Sequence, residues 1–312
     1  MISVILTHYN KGLLLNRTIE SLQPQDKNLH EIIVVDDCST DPQWSKNSKY
    51  LIETYPKIKI IQNTDNKGPA VRLNQGAFSA TGDYLFFMDA DDILAPNRLN
   101  MFLAEMQKQN ADLCYAEKVK IHDLNEIQRH TLATWQSSTT PLNYVLENNI
   151  MQMCVMCTRE LFQKSKGCNE NIFIQDESLA LNLSKYSKKI ISSDLHSVFV
   201  ILDVTETKSI RGENRLSRHL EQQHHDMFFT IDDFIRDYPD IAEQNKKLLI
   251  KKAISTYWKS IRHTPQRKFS DFVIYLTSHL HPIQTWNKHR MKLTTYFNQL
   301  DHVRKINSRE SN

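Results

Sequence analysis

Five short apolar runs separated by four segments of helical periodicity open the chain. The runs are ISVILTHY (2–9), EIIVVDD (31–37), KIKIIQN (57–63), YLFFMDADD (84–92) and ADLCYAEKVKI (111–121). Between them, GLLLNRTIESL carries an apolar stripe at Leu14, Leu15, Ile19 and Leu22, and WSKNSKYLIETY is closed by Pro56. A turn at Asn66-Lys67-Gly68-Pro69 starts a third helix, with Pro at its first position, and a fourth follows Pro96. This order predicts an α/β fold with a mainly parallel sheet and helices on both faces. The continuous apolar character of the second and fourth runs is that of parallel strands buried on both sides.

In such sheets ligands bind beyond the carboxyl ends of the strands. The polar oddities of the chain fall there: Thr7-His8-Tyr9-Asn10, Asp36-Asp37-Cys38-Ser39 and Asp89-Ala90-Asp91-Asp92. Three carboxylates within four residues, directly after YLFFM, repel one another unless a cation joins them. Asp89-x-Asp91 has the spacing of a divalent-metal clamp whose remaining ligands are waters and a diphosphate, because Mg²⁺ and Mn²⁺ prefer oxygen donors. The plainer alternative makes Asp92 a helix cap and Asp89 a solvated turn residue.

Other classes are excluded. The chain has neither the Gly-x-Gly-x-x-Gly dinucleotide fingerprint nor a P-loop. No apolar run approaches the roughly 18 residues of a membrane span, and the N-terminus reads as a first strand, not a signal peptide. Five scattered cysteines point to reduced thiols and a cytoplasmic location, with Cys154 and Cys157 as buried free thiols in place of a metal knuckle.

Taken together, SVILTHYN, VVDDCSTD, NKGPAVRLNQGAFSATGDYLFFMDADD and IQDESLALNL resemble the family 2 glycosyltransferases, inverting GT-A-fold enzymes that use nucleotide-diphospho-sugars. The resemblance covers about residues 1–220. It implies a nucleotide-binding role for Thr7 and Tyr9, a hydrogen bond from a uracil edge to Asp37, and ribose and phosphate contacts around Asn66 and Arg72, with Asn74 beside them. It implies that Asp89 faces the ribose and that Asp91 ligates Mn²⁺ or Mg²⁺ on the diphosphate. Cys38 stands where a small residue, often Gly, is usual. In the family the Asp of a Glu-Asp pair before a helix is the catalytic base. Gln175-Asp176-Glu177 occupies that place, which makes Asp176 the base and Glu177 the fallback. Helix-end placement is expected to keep Asp176 ionised, which suits a base and equally an N-cap. RGENRLSRH (211–219) resembles the segment that closes over the donor, with Arg211, Arg215, Arg218 and His219 as candidate diphosphate contacts.

Residues 1–218 are expected to form the catalytic domain, divided near 115 into a nucleotide-sugar half and an acceptor half, and 219–312 a basic helical region. From Lys246 onward there are 14 Lys and Arg against 3 Asp and Glu. In KKLLIKKAISTYWKSIR (246–262), Ile250, Ala253, Ile254, Tyr257, Trp258 and Ile261 lie on one helical face. Three uses compete for that stripe: peripheral contact with an anionic membrane, packing on the catalytic domain, or a homodimer interface. Nucleic acid is not expected, because the aromatic residues lie on the apolar stripe and not between basic ones. The implied activity transfers a sugar from a UDP-sugar or close relative to a hydroxyl of a glycan or lipid-linked acceptor, in surface polysaccharide or lipopolysaccharide synthesis. A sugar nucleotidyltransferase and a non-catalytic nucleotide- or sugar-binding module are the alternatives. The absence of a Gln-x-x-Arg-Trp motif argues against a processive synthase.

Overall fold

A computed structural model of the chain describes residues 1–25, 27–127, 133–202 and 219–304. The first half runs β1 (Ile2–His8), α1 (Leu13–Leu22), β2 (Leu29–Asp36), α2 (Trp44–Thr54), β3 (Ile58–Gln62), α3 (Pro69–Ser79), β4 (Tyr84–Met88), β5 (Ile93–Leu94), α4 (Arg98–Gln109) and β6 (Leu113–Ile121). It continues through β7 (Trp135–Ser138), α5 (Pro141–Asn148), β8 (Cys154–Thr158), α6 (Arg159–Ser165), α7 (Asp176–Tyr186) and β9 (Ile190–Ile201). Four helices follow: α8 (Leu220–Asp237), α9 (Glu243–Ile261), α10 (Phe269–Leu280) and α11 (Pro282–Asn298).

One nine-stranded sheet carries the order β3-β2-β1-β4-β8-β6-β9-β5, with β7 paired to β9. The β3-β2-β1-β4 half is parallel, as the alternation predicts. β8 then inserts antiparallel between β4 and β6, so the fifth apolar run points the same way as β4 without touching it. The YLFFM run is buried on both faces because its side chains alternate between two cores. Phe86 and Met88 meet the side of the sheet covered by α1, α2 and α4, whereas Leu85 and Phe87 meet the side covered by α3, α6 and α7. The same alternation explains the Cys-x-x-Cys spacing. On β8, Cys154 and Cys157 point to opposite faces, so they share no locus, and both are buried free thiols.

The C-terminal helices build a third core from Phe228, Phe229, Tyr257, Trp286 and Phe297, and Leu142, Ile172 and Leu181 from the α/β half close it. The stripe of α9 packs inside this core, in line with one of the three uses weighed for it: Ile250, Ala253 and Ile254 are fully buried. The physical reason is that α8, α10 and α11 supply apolar partners for it, while Lys247 and Lys259 stay exposed. Exposed apolar surface lies instead on α10, at Phe269, Phe272, Val273, Leu276 and Leu280.

Candidate active site

The site begins where β1 and β2 end side by side, with Thr7 opposite Val35 and His8 opposite Asp36. Thr7 and Tyr9 are half-buried at this rim. Asn10 turns the chain with φ 50°, and its side-chain Oδ1 accepts from Thr40 N at 2.9 Å and Asp41 N at 3.0 Å, tying the two strand ends together. Cys38 also has a positive φ, 64°, which is the physical reason that glycine suits this position. His8 stacks on Trp44 with ring centroids 4.1 Å apart; burial, helped by nearby Lys11, lowers its pKa to about 3, so it is neutral.

Asp37 is the anchor of the loop that precedes α3. Its Oδ1 accepts from Lys67 N at 2.8 Å and Arg72 Nε at 2.7 Å, and its Oδ2 accepts from Gly68 N at 2.8 Å. A carboxylate offers about four acceptor positions, so one on Oδ2 is left for a ligand N–H. Arg72 is nearly buried, and its Nη2 donates to Asp65 Oδ1 at 2.8 Å. It therefore holds Asp37 and Asp65 in place, where the sequence suggests a phosphate contact. Asn74 is spent differently: its amide bonds the backbone of Cys168 and the side chain of Glu170.

The acidic end of β4 has two cationic partners that sequence patterning does not show. Lys11 Nζ lies 3.0 Å from Asp91 Oδ2, and Lys118 Nζ pairs with both Asp89 and Asp92, 2.7 Å from the latter. Asp92 is not the cap of α4, since β5 intervenes and Asn97 occupies the cap position. Burial raises the Asp92 pKa to about 7 despite Lys118. At Lys118 burial opposes the charge, but Asp89 and Asp92 outweigh it and hold the ammonium well above its usual range.

Asp176 is the first residue of α7. Gln175 occupies the cap position, so Asp176 is not an N-cap. The expectation of a lowered pKa is corrected here: burial first, then Asp89 and Glu177, raise it well above the usual carboxylate range and outweigh the helix end. Glu177 is pushed up to about 7, chiefly by burial. The two neighbours differ in surroundings. Asp176 is within electrostatic reach of Asp89 and Asp92, whereas Glu177 lines a recess together with Lys252. Among the described residues, Asp89, Asp91, Asp92 and Asp176 gather with Lys11 and Lys118, and the four carboxylates are a set of hard oxygen donors. That donor set fits a divalent cation bound with a diphosphate. Among the described residues no group of three or more His, Cys, Asp or Glu is placed to hold a metal.

The loop before α7 is held from the C-terminal region. Asp226 on α8 accepts from Phe173 N at 3.1 Å and Ile174 N at 2.8 Å, while Gln222 and His225 fix its other oxygen. Arg304 lies over the Phe173 ring at 4.9 Å and donates to Asn66 Oδ1 at 3.0 Å. Asn66 donates in turn to the Asp37 carbonyl at 3.0 Å, so Arg304, which follows α11, reaches the expected donor loop. His225 is engaged with Asp226, His224 lines the recess beside Glu177, and His219 is exposed. Arg211, Arg215 and Arg218 lie outside the described residues. Lys11, Lys118, Asp226 and Arg304 escaped sequence reasoning because each acts at long range in the chain, 29 residues from Lys118 to Asp89 and 52 or more for the others.

An α/β sheet of this order, with acids gathered at the ends of β2 and β4 and a further acid at the start of α7, defines the GT-A class of fold. The chain belongs to glycosyl transferase family 2, whose model matches residues 3–165. A protein of Escherichia coli (strain K12) named as a colanic acid biosynthesis glycosyl transferase, WcaA, is 38% identical over 109 residues, which is 35% of this chain and 38% of that protein. This chain thus spans well under half the length of that curated relative. S. aureus TarS 1–349, solved with UDP-GlcNAc, superposes with a TM-score of 0.64 at 17% identity, covering 91% of this chain and 81% of TarS. The mannosyltransferase PcManGT of Pyrobaculum calidifontis, solved with GDP-Man and Mn²⁺, gives a TM-score of 0.56 at 16% identity over 94% and 84% of the two chains.

Proposed function

We propose that this chain is a metal-dependent, inverting glycosyltransferase that moves a sugar from a UDP-sugar, or a related nucleotide-sugar, to a hydroxyl of a glycan or lipid-linked acceptor in surface polysaccharide synthesis. The observation that carries the proposal is the meeting of Asp176 with Asp89 and Asp92 in one electrostatic cluster, although the chain separates them by more than 80 residues. Family membership and the sugar-nucleotide complexes of TarS and PcManGT support the donor class.

In this reading the remaining acceptor position of Asp37 takes an N–H from the base, Thr7 and Tyr9 flank the nucleotide, and Asn66 and Asp89 face the ribose. Asp91 is the protein ligand of Mn²⁺ or Mg²⁺, which when bound offsets the charge of the departing diphosphate. Arg72 organises Asp37, and Arg211 is assigned to the diphosphate from the motif alone. Asp176 takes the proton of the acceptor hydroxyl as its oxygen bonds to C1, while the electron pair of the C1–O bond leaves with the nucleoside diphosphate. Glu177 is the fallback base.

Residues 1–218 are assigned to catalysis and 219–312 to a helical region that also meets an anionic membrane. The membrane assignment rests on the exposed α10 face, whose Phe269, Phe272, Val273, Leu276 and Leu280 recur at helical spacing within the basic tail.

The test is a screen of nucleoside diphosphate release from common nucleotide-sugars with Mn²⁺, comparing wild type with Asp91→Ala. A donor-specific signal that falls by about 10²-fold or more in the variant is expected. Unchanged turnover in the variant would sink the metal assignment.

A further inference from the structure

The recess beside Glu177 has chemistry that the donor half does not use. It is lined by Glu177 from α7, Asn149 at the end of α5, His224 from α8, and Thr256, Lys252 and Lys259 from α9, and it encloses about 300 Å³. That volume is at the lower end of small-molecule sites and suits one sugar ring with a substituent. The lysines are the unusual part. Lys252 Nζ is half-buried and meets only neutral groups at hydrogen-bond distance, Asn149 Oδ1 at 2.5 Å and Met151 Sδ at 3.2 Å. Neither Lys252 nor Lys259 forms an ion pair with any described residue. One carboxylate, Glu177, faces two ammonium groups and a histidine.

We propose that this recess is the acceptor subsite and that it takes a sugar or polyol bearing a phosphate or carboxylate group, read by Lys252 and Lys259, next to the hydroxyl that is glycosylated. The inference rests on the transferase reading above and names the substrate class for the same site. Two observations favour an anion over a neutral glycan. Positive charge is in excess, since Lys259 and Arg262 both act on His224 and depress its pKa after burial has done so. Burial lowers Lys252 and raises Glu177, and their mutual attraction offsets this only in part, so an anion beside Lys252 would favour its charged form. The recess adjoins the start of α7 through Glu177, the chain neighbour of Asp176. The anionic group makes and breaks no bond; it orients the acceptor.

The experiment is calorimetric titration of the full chain, saturated with UDP to block the donor site, with glucose 6-phosphate, glucuronate and glucose. Glucose 6-phosphate or glucuronate should bind at least about tenfold more tightly than glucose, a gap of about 1.4 kcal/mol. Whichever of the two binds identifies phosphate or carboxylate as the group read. Lys259→Met, at an exposed position that folding tolerates, should weaken that binding about tenfold, Lys259→Arg should restore most of it, and Lys46→Met on α2 should match wild type. Equal binding of glucose, no binding of either anion, or no effect of Lys259→Met overturns the proposal. UDP titrated alone into the same protein reports the donor reading separately: absence of UDP binding overturns that reading, whereas absent sugar-anion binding with UDP bound overturns only the subsite.

Discussion

Asp226 on α8 accepts a hydrogen bond from the backbone N–H of Ile174 at 2.8 Å, two residues before Asp176. A buried carboxylate in the helical region thus fixes the approach of the chain to the candidate base. Asp226→Asn keeps the shape but weakens four charge-assisted bonds, so a loss of about 2 kcal/mol in stability is expected. Turnover should fall further than UDP affinity, because the misplaced group lies on the acceptor side of the donor. Urea unfolding and UDP titration of the same variant check both parts.

Gly68 makes a second contact between the two halves of the site. Its φ is 89°, and a Cβ there would meet the Phe173 ring at 2.6 Å. Gly68→Ala is therefore strained in its backbone and clashes with the residue that Asp226 and Arg304 both hold. A cost of roughly 2 kcal/mol and weaker UDP binding are expected. A neutral Gly68→Ala would mean that the loop before α3 does not pack as described.

Stability of the metal-free protein should fall as pH rises from about 5 to about 8. Asp92 and Glu177, each with a folded pKa of about 7, and Asp176, raised in the same direction, bind protons in the folded state that the unfolded chain has already released. The folded state then gains from low pH, and the gain is lost as pH climbs through the folded pKa values. Glu31 acts oppositely: its pKa of about 2, set against burial by bonds from Lys59, Thr81 and Ser3, gives stability above the ordinary carboxylate range that disappears in acid. The melting temperature should drop by a few degrees from pH 5.5 to pH 8, and Asp92→Asn should flatten that slope. A melting temperature that rises over this interval would contradict the assignment.

Membrane contact through α10 is checked by co-sedimentation with vesicles containing phosphatidylserine. Replacing Phe269 and Leu280, 80% and 78% exposed, with Asp should reduce binding about tenfold without altering the melting temperature. Undiminished binding ends the idea, and a concentration-dependent change in mass on sedimentation would instead assign the face to self-association.

Strands β1 to β4 and β6 and helices α1 to α4 were legible from the alternation of apolar runs with helical stripes, most sharply at β2 and β4, which are apolar because both faces are buried and which end in abrupt polar groups. β8 could not be placed, because CVMCT does not record that it slips between β4 and β6. β9 was missed for another reason: its first half, IISSDLH, mixes polar and apolar residues. In the site, the acids were legible as residue types at strand ends. Their partners were not, because Lys118 reaches Asp89 only through the register of β6 across β8. The α9 stripe was legible as a stripe, but a buried face and a membrane face have the same periodicity, and only the packing of α8, α10 and α11 distinguishes them.

The most direct test concerns Asp176. With a donor identified by nucleotide release, transfer and UDP affinity should be measured together for wild type and Asp176→Asn. The expected result is a fall in transfer of about 10³-fold or more with UDP affinity within about threefold of wild type, since the substitution removes proton acceptance and leaves the donor cradle intact. Transfer that persists near the wild-type rate in Asp176→Asn would contradict the assignment and move the base to Glu177.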